Sequence, residues 1–292
     1  MRLSIERKNI KIYPDVKRVI TRFFFAGEQR ARQIVERIAK MDQEQVLATV
    51  LPVLQEYSKR HRNITKIFYR HYQRLQDIFS KIGITYDTPD NYRKLLIGSF
   101  FTHEYSIESA AFFNPSMVED PDQSELEEGQ KRVIVSFRAV GEGHISSIAF
   151  RRALLEKDGN VKIYPVGNHV DEAEIIYSAA YKKSGFFAKA SNHPIDPAII
   201  EEVSAELKED FDFNFLKKII TQKISTHKDD LLKKLEYEKI LWLADSYYEI
   251  TFSLDTDLSD RVIFPISEFE RNGIEDARFV RFTEDNGDIA YM

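Results

Sequence analysis

The sequence predicts a mainly β protein with α-helical parts, in which a helical N-terminal region precedes a β region that contains a helical insertion. Three changes in apolar spacing support this class. The first part of the chain carries apolar side chains at helical spacing, and residues 132–138 then alternate as strands do. Helical spacing returns at about residues 197–245 before strand-like segments resume. We therefore expect a helical region over residues 1–85 and a β domain with this insertion over residues 86–292.

The N-terminal region contains recognisable helix starts. Asp42, with Gln45 three residues later, has the form of a capping box and begins the second predicted helix. Pro52 lies within that helix, where we expect a kink or a break because proline removes a backbone donor. Thr88 followed by Pro89 predicts the cap and the first residue of a fourth helix.

The β region begins with a predicted hairpin. Its strands, at residues 133–137 and 145–152, flank a turn that contains Gly141, Glu142 and Gly143. The remaining strands are predicted on either side of the helical insertion. They cover residues 160–166, 248–254, 261–266, 278–282 and 288–292.

Composition excludes several classes of protein. The chain has 292 residues, a net charge of −5 and no cysteine, so it has neither disulfides nor thiolate chemistry. A general nucleic-acid binder is normally basic, and we therefore expect no nucleic-acid partner. No apolar run approaches the roughly 20 residues that a membrane helix needs, and the first residues lack the apolar core of a signal peptide. We expect a cytoplasmic protein without a membrane partner.

Two clusters have alternative interpretations. The basic run at residues 59–62, continued by Lys66, Arg70 and Arg74, is either the solvated face of a helix or a polyanion site, and the first is commoner. His169 and Asp171 stand close together, but no further ligand lies at zinc spacing. The sequence therefore predicts no metal site.

Three stretches stand out for their polar and charged residues. The first is Phe113-Asn114-Pro115-Ser116, at the start of the β region. Residues 136–147 form the second, and residues 272–278 form the third. In isolation each has an ordinary explanation: a turn, a solvated hairpin tip, and a surface ion pair. A carboxylate pair beside an arginine also suits glycoside chemistry, since one carboxyl group can protonate a leaving oxygen. The candidate residues are Asn114, Arg138, Glu142, His144, Glu275, Asp276 and Arg278.

In this order the stretches resemble glycoside hydrolase family 130, the β-mannoside phosphorylases and β-1,2-mannosidases. That family has an Asn-Pro pair, a strand ending in Tyr-Arg or a similar pair, and the sequence Gly-Val-Glu-Asp-Pro-Arg. Here Phe137-Arg138 matches the second motif and residues 273–278 match the third, with Ala277 in place of proline. Residues 102–109, together with 141–147, resemble a longer subgroup that has an N-terminal helical extension. The resemblance implies a five-bladed β-propeller.

The resemblance also implies a role for each matched residue. Asp276 falls on the general acid of the family, which protonates the glycosidic oxygen. Arg138 falls near the sugar whose bond is cleaved and contacts substrate or phosphate, and Asn114 falls in the same pocket. Glu275 and Arg278 orient Asp276 or bind hydroxyls. Glu142 and His144 belong to the motif of the subgroup and are taken as substrate-binding positions without a defined role.

The implied reaction is inverting phosphorolysis of β-mannosides, with β-1,2-linked manno-oligosaccharides favoured, to give mannose 1-phosphate. Inorganic phosphate is the co-substrate, and no other cofactor is expected. A β-mannoside hydrolase of the same family and a non-catalytic sugar- or protein-binding module are the alternatives. Linkage and acceptor sugar stay open. The last predicted strand ends with the chain, so we expect an N-terminal fragment that holds only the first blades. By itself this fragment should be poorly soluble or oligomeric and should turn over no mannoside.

Overall fold

The computed structural model describes residues 7–83, 90–176, 181–227, 230–246, 248–267 and 270–292. The chain forms two compact units, and the chain passes from the first to the second twice. The first unit comprises Met1–Glu172, Ser253–Pro265 and Asn272–Met292, and the second comprises Ala173–Phe252 and Ile266–Arg271. These units differ from the predicted ranges 1–85 and 86–292, because the helical region and the sheet that follows it share one unit.

The regular elements are numbered here in chain order. The helices are α1 (Glu28–Ala39), α2 (Gln43–Ser58), α3 (Ile64–Lys81), α4 (Asn91–Phe100), α5 (Lys183–Ala190), α6 (Pro197–Ala205), α7 (Phe213–Thr226) and α8 (Leu231–Asp245). The strands are β1 (Val19–Phe23), β2 (Thr102–Ser106), β3 (Ala111–Glu119), β4 (Lys131–Val140), β5 (Ser146–Leu155), β6 (Val161–Ile163), β7 (Asp171–Glu172), β8 (Glu174–Ile176), β9 (Tyr181–Lys182), β10 (Asp210–Phe211), β11 (Glu249–Thr251), β12 (Arg261–Ile263), β13 (Arg281–Thr283) and β14 (Ile289–Tyr291).

The helical part of the first unit is a packed group of α1 to α4. Their buried apolar side chains, such as Val46, Leu75 and Leu96, form one core. The capping box predicted at the start of α2 is present, with both of its reciprocal hydrogen bonds. α4 packs in the same core, so it belongs with the helices although it follows residue 85.

Two details of the helical prediction need comment. Of the kink or break expected at Pro52, the break is absent, because α2 continues through Pro52 without interruption. The helix tolerates the proline because its apolar side chains Val46 and Val50 are fully buried and hold the segment in place. Thr88 and Pro89 lie outside the described residues, and α4 begins after Asp90, whose side chain accepts a hydrogen bond from the amide of Tyr92.

The main sheet of the first unit contains six strands in the order β3-β4-β5-β12-β7, and β6 pairs with β5 beside β12. The hairpin of β4 and β5 lies at its centre and matches the predicted strands at 133–137 and 145–152. The pairs are antiparallel except β12 with β7. The described sheets are open, and the five-bladed propeller therefore stays a prediction.

The two faces of this sheet bury different apolar groups. One face carries Val133, Val135 and Phe137. The opposite face carries Ile134, Ile148 and Phe150, against which three side chains of the segment 272–280 pack. These three are Ile274, Ala277 and Phe279. The second face is therefore the one on which the Glu275-Asp276 pair is held.

A buried ion-pair network connects the sheet to the N-terminal segment. Glu108 is fully buried, and its carboxylate lies 2.8 Å from Arg18 Nε and 2.6 Å from Arg151 Nη2. The same carboxylate accepts a hydrogen bond from the amide of Asp15 at 2.9 Å. Arg18 also donates to the carbonyl of Ser259, next to β12. The Glu108 carboxylate thus joins the N-terminal segment, at Asp15 and Arg18, to β5, at Arg151.

The basic run at residues 59–62 is used in ion pairs within the first unit. Arg60 and His61 both contact the Glu104 carboxylate, at 2.7 and 2.6 Å. Arg62 pairs with Asp255 at 2.8 Å. Burial lowers the pKa of His61, although Glu104 acts in the opposite direction. Arg60 and Arg62 have carboxylate partners and His61 forms a hydrogen bond with one, which favours the structural interpretation of residues 59–62 over a polyanion site.

The second unit is mainly helical. α5 to α8 surround one apolar core that includes Val203, Leu216, Tyr237 and Ile240. The predicted insertion at 197–245 covers α6, α7 and α8, and the unit adds α5 and β8 to β11. β11 pairs with β8, and β10 pairs with β9, in two short antiparallel sheets.

The other predicted strands are present in shortened form. β6 and β12 each occupy three residues of the predicted stretches 160–166 and 261–266. β13 and β14 pair as the hairpin that the turn at residues 285–288 predicts. Among the described residues, no helix combines the length and the apolar character needed to cross a bilayer.

Candidate functional site

A bulge in the edge strand β3 places Asn114. Phe113 pairs with Arg138 of β4, and Ser116 pairs with Ser136, so three steps on β3 face two steps on β4. Asn114 adopts a left-handed backbone conformation, with φ of 49°, which asparagine tolerates better than most residues. A bulge redirects the side chain of the extra residue. Asn114 consequently lies exposed at the sheet edge.

The segment 272–280 carries the carboxylate pair and is attached to the start of β5. Gly273 forms a parallel β-bridge with Ser146, and the amide of Ile274 donates to the carbonyl of Ser146 at 2.9 Å. Gly273 has φ of 113°, in the region that favours glycine. Because Ile274 and Ala277 face the sheet, Glu275 and Asp276 between them remain exposed.

The structure brings four of the predicted residues together. Asn114 Nδ2 donates to Asp276 Oδ1 at 2.6 Å, although 162 residues separate the two in the sequence. Arg138 Nη2 lies 3.2 Å from Glu275 Oε1. Arg138 Nε is buried and has no hydrogen-bond partner among the described residues. The site therefore offers a paired carboxylate and amide beside a guanidinium that retains an unused donor.

The charge of Asp276 is set by its neighbours. The hydrogen bond from Asn114 lowers the pKa of Asp276, and the positive charges of Arg138 and Arg278 act in the same direction. Asp276 is thus an anion at neutral pH in the empty site. Such an anion accepts hydrogen bonds from sugar hydroxyls readily, and it can act as a general acid only after its environment changes.

The other predicted residues are placed differently. Arg278 is exposed and acts on Asp276 through its charge. The Glu142 carboxylate accepts from the amide of Ser106 at 3.1 Å, and its carbonyl accepts from the hydroxyl of Tyr105 at 2.5 Å. These contacts fix the hairpin turn to β2. His144 is exposed in the turn with φ of 62°. The described contacts therefore give Glu142 a positioning role.

Burial raises the pKa of Tyr105 to about 12, so its hydroxyl stays protonated and keeps donating to the turn at neutral pH. Tyr105, Ser146 and Gly273 were not among the predicted site residues. Their backbone and hydroxyl contacts join segments that are far apart in the sequence. Local sequence patterns do not show which distant segments meet. Among the described residues, no three His, Asp or Glu side chains are grouped as metal ligands.

In comparisons with known proteins, no family model, curated protein or solved structure matches this chain. The resemblance to glycoside hydrolase family 130 accordingly rests on the three sequence motifs and stays a prediction.

We expect Gly273→Ala to detach the carboxylate segment from the sheet. An added Cβ would overlap Ser146 Oγ and lie 2.5 Å from the amide nitrogen of Ser146, at a φ that alanine rarely adopts. The hydrogen bond from Ile274 to Ser146 should then be lost, and its amide should exchange with solvent faster by an order of magnitude or more.

Gly287→Ala is the matched control for this substitution. Gly287 has φ of 91°, but its added Cβ has open space around it. Hydrogen exchange at Ile274 should stay unchanged in this variant, because only backbone strain is introduced, at a distant hairpin turn. Equal exchange at Ile274 in wild type and Gly273→Ala would show that Gly273 does not hold the segment.

Proposed function

We propose that the protein is a carbohydrate-active enzyme that cleaves β-mannosides by inverting phosphorolysis, with β-1,2-linked manno-oligosaccharides as the favoured substrates. The observation that carries the proposal is the contact between Asn114 and Asp276, two residues of separate motifs. Arg138, the matched residue of the remaining motif, pairs with Glu275, which directly precedes Asp276. A cytoplasmic location and the five-bladed propeller belong to the same proposal.

In the proposed reaction an oxygen of inorganic phosphate forms a bond to the anomeric carbon. The bond from that carbon to the glycosidic oxygen breaks, and the leaving oxygen takes a proton from Asp276. The products are mannose 1-phosphate and the shortened saccharide. The unused Nε of Arg138 supplies a charged donor for phosphate or a sugar hydroxyl, and Arg278 adds positive charge.

Asp276 must be protonated to perform this step. A bound saccharide excludes water from the carboxyl group and replaces the amide of Asn114 with its own hydroxyls, and desolvation raises the pKa of a carboxyl group. In this proposal, substrate binding breaks the hydrogen bond between Asn114 and Asp276. Asn114 keeps the carboxylate ionised and oriented while the site is empty.

We expect Asn114→Ala to extend activity to higher pH. A general acid loses activity as the pH rises through its pKa, and removing the Asn114 hydrogen bond raises the pKa of Asp276. The alkaline limb of kcat/KM against pH, which reports the free enzyme, should shift upward. A limb at the wild-type pH would mean that Asn114 does not control Asp276. Carboxyl NMR titration of Asp276 checks the assignment without turnover.

A non-catalytic mannoside-binding role is the second candidate, and one observation favours it. The lowered pKa of Asp276 and its exposure suit a hydroxyl acceptor better than a proton donor. In this role Asn114, Asp276 and Arg138 bind sugar hydroxyls without bond cleavage.

Incubation of the full-length gene product with β-1,2-mannobiose separates these roles. Phosphate-dependent release of mannose 1-phosphate supports the phosphorylase. Phosphate-independent release of mannose identifies a hydrolase, and binding without either product identifies the binding role. If the disaccharide is neither bound nor cleaved, the proposed function is wrong.

A further inference from the structure

Phe113 is an exposed aromatic residue next to the candidate site. Half of its surface is accessible, although its strand neighbour Phe112 stacks on Phe137 with ring centroids 4.7 Å apart. Successive residues of a strand point to opposite faces, so Phe112 is used in the core and Phe113 is not. An aromatic ring left open beside polar groups is the usual composition of a ligand site.

The register of the sheet places Phe113 on the same face as the site. Phe113 is directly opposite Arg138, and such cross-strand pairs have Cβ atoms about 4.5–5.5 Å apart. The segment 272–280 packs on this face, where it covers Ile148, the β5 partner of Arg138. Phe113 also directly precedes Asn114, the residue that contacts Asp276. Phe113 is thus next to one member of each polar pair: Arg138 across the strands and Asn114 along the chain.

We infer that Phe113 is the platform on which the leaving-side sugar of the substrate packs. The inference rests on the proposed function. A β-mannopyranose carries axial hydrogens on C1, C3 and C5, which form an apolar face that an aromatic ring can cover. Asn114 and Asp276 lie where hydroxyls at the ring edge can be bound.

Two requirements of the reaction assign this platform to the leaving side. Phosphate attacks the anomeric carbon opposite the leaving oxygen, so the corresponding face of the reacting sugar must stay open. The general acid must also lie beside the leaving oxygen. Phe113 directly precedes Asn114, and Asn114 contacts Asp276. We therefore assign Phe113 to the leaving-side sugar.

The reverse reaction tests this assignment, because it uses mannose 1-phosphate as donor and mannose as acceptor with separate KM values. In Phe113→Ala we expect the KM for mannose to increase about tenfold, equivalent to about 1.4 kcal/mol. The KM for mannose 1-phosphate and kcat should stay within twofold of wild type. A purely structural role would change all three together. Phe113→Trp, which keeps an aromatic face, should restore the KM for mannose.

Met117→Ala is the matched control. Met117 lies on the same strand and is 47% exposed against 50% for Phe113, but it pairs with Val135 and belongs to the opposite face. Both KM values should be unchanged in this variant.

An unchanged KM for mannose in Phe113→Ala would overturn the inference and leave the proposed function intact. If wild type catalyses neither direction, calorimetric titration with β-1,2-mannobiose decides: an equal Kd for wild type and Phe113→Ala overturns the platform, and about tenfold weaker binding by the variant supports it. Failure of wild type to bind the disaccharide at all overturns the proposed function, and the inference with it.

Discussion

Asp276→Asn is expected to lower kcat for β-1,2-mannobiose by about 10²–10⁴-fold, the range typical of general-acid assistance. Asparagine has nearly the same shape as aspartic acid but cannot give a proton to the leaving oxygen. Asp276 is exposed, so its replacement should leave thermal unfolding unchanged. Initial rates of mannose 1-phosphate release measure the effect.

The leaving group provides a second check on Asp276. Nitrophenolate leaves a nitrophenyl mannoside without help from an acid. Turnover of this substrate should therefore fall much less in the variant. Asp285→Asn, an exposed aspartate in the turn between β13 and β14, is the control and should retain wild-type rates. Normal turnover of mannobiose by Asp276→Asn would remove Asp276 from the catalytic role.

Glu108→Ala is expected to lower the free energy of unfolding of the first unit by about 3–5 kcal/mol, as removal of one partner from a buried ion pair does. Two guanidinium groups, of Arg18 and Arg151, would lose their carboxylate where water does not reach them. Domains are typically stable by only about 5–15 kcal/mol. Amide exchange of β4 and β5 under native conditions measures this unit directly.

Two further variants separate charge from volume. Glu108→Gln keeps the volume of the side chain but removes its negative charge. The free energy of unfolding should therefore decrease almost as much in Glu108→Gln as in Glu108→Ala. Glu28→Ala breaks the exposed pair with Arg32 and should cost less than about 1 kcal/mol. Wild-type stability in Glu108→Gln would show that packing rather than charge explains the effect of Glu108→Ala.

Elements with a short-range signal could be predicted from the sequence. The capping box of Asp42 and Gln45 is local, and so is the alternation of β4 and β5. The helix does not break at Pro52, and Val46 and Val50 of the same helix are fully buried. Local pattern could not show this, since it depends on what α2 packs against.

The candidate site shows the same limit at longer range. The order of the motifs indicated Asn114, Arg138 and Asp276, and the structure shows which of them touch. The anchoring of Glu142 by Ser106, and of Gly273 by Ser146, uses backbone groups of Ser106 and Ser146, and a backbone amide or carbonyl is present at almost every position. Likewise the fully buried Glu108 looks in the sequence like any other charged residue.

The long separation between Asn114 and Asp276 affects the order in which the site forms. The β4–β5 hairpin closes through the five residues 141–145, whereas contact between Asn114 and Asp276 closes a loop of more than 160. Closing a loop costs entropy that grows with its length. We therefore expect the β4–β5 hairpin to form before the site. The carboxylate segment is also the part that can open locally while the hairpin beneath it stays folded.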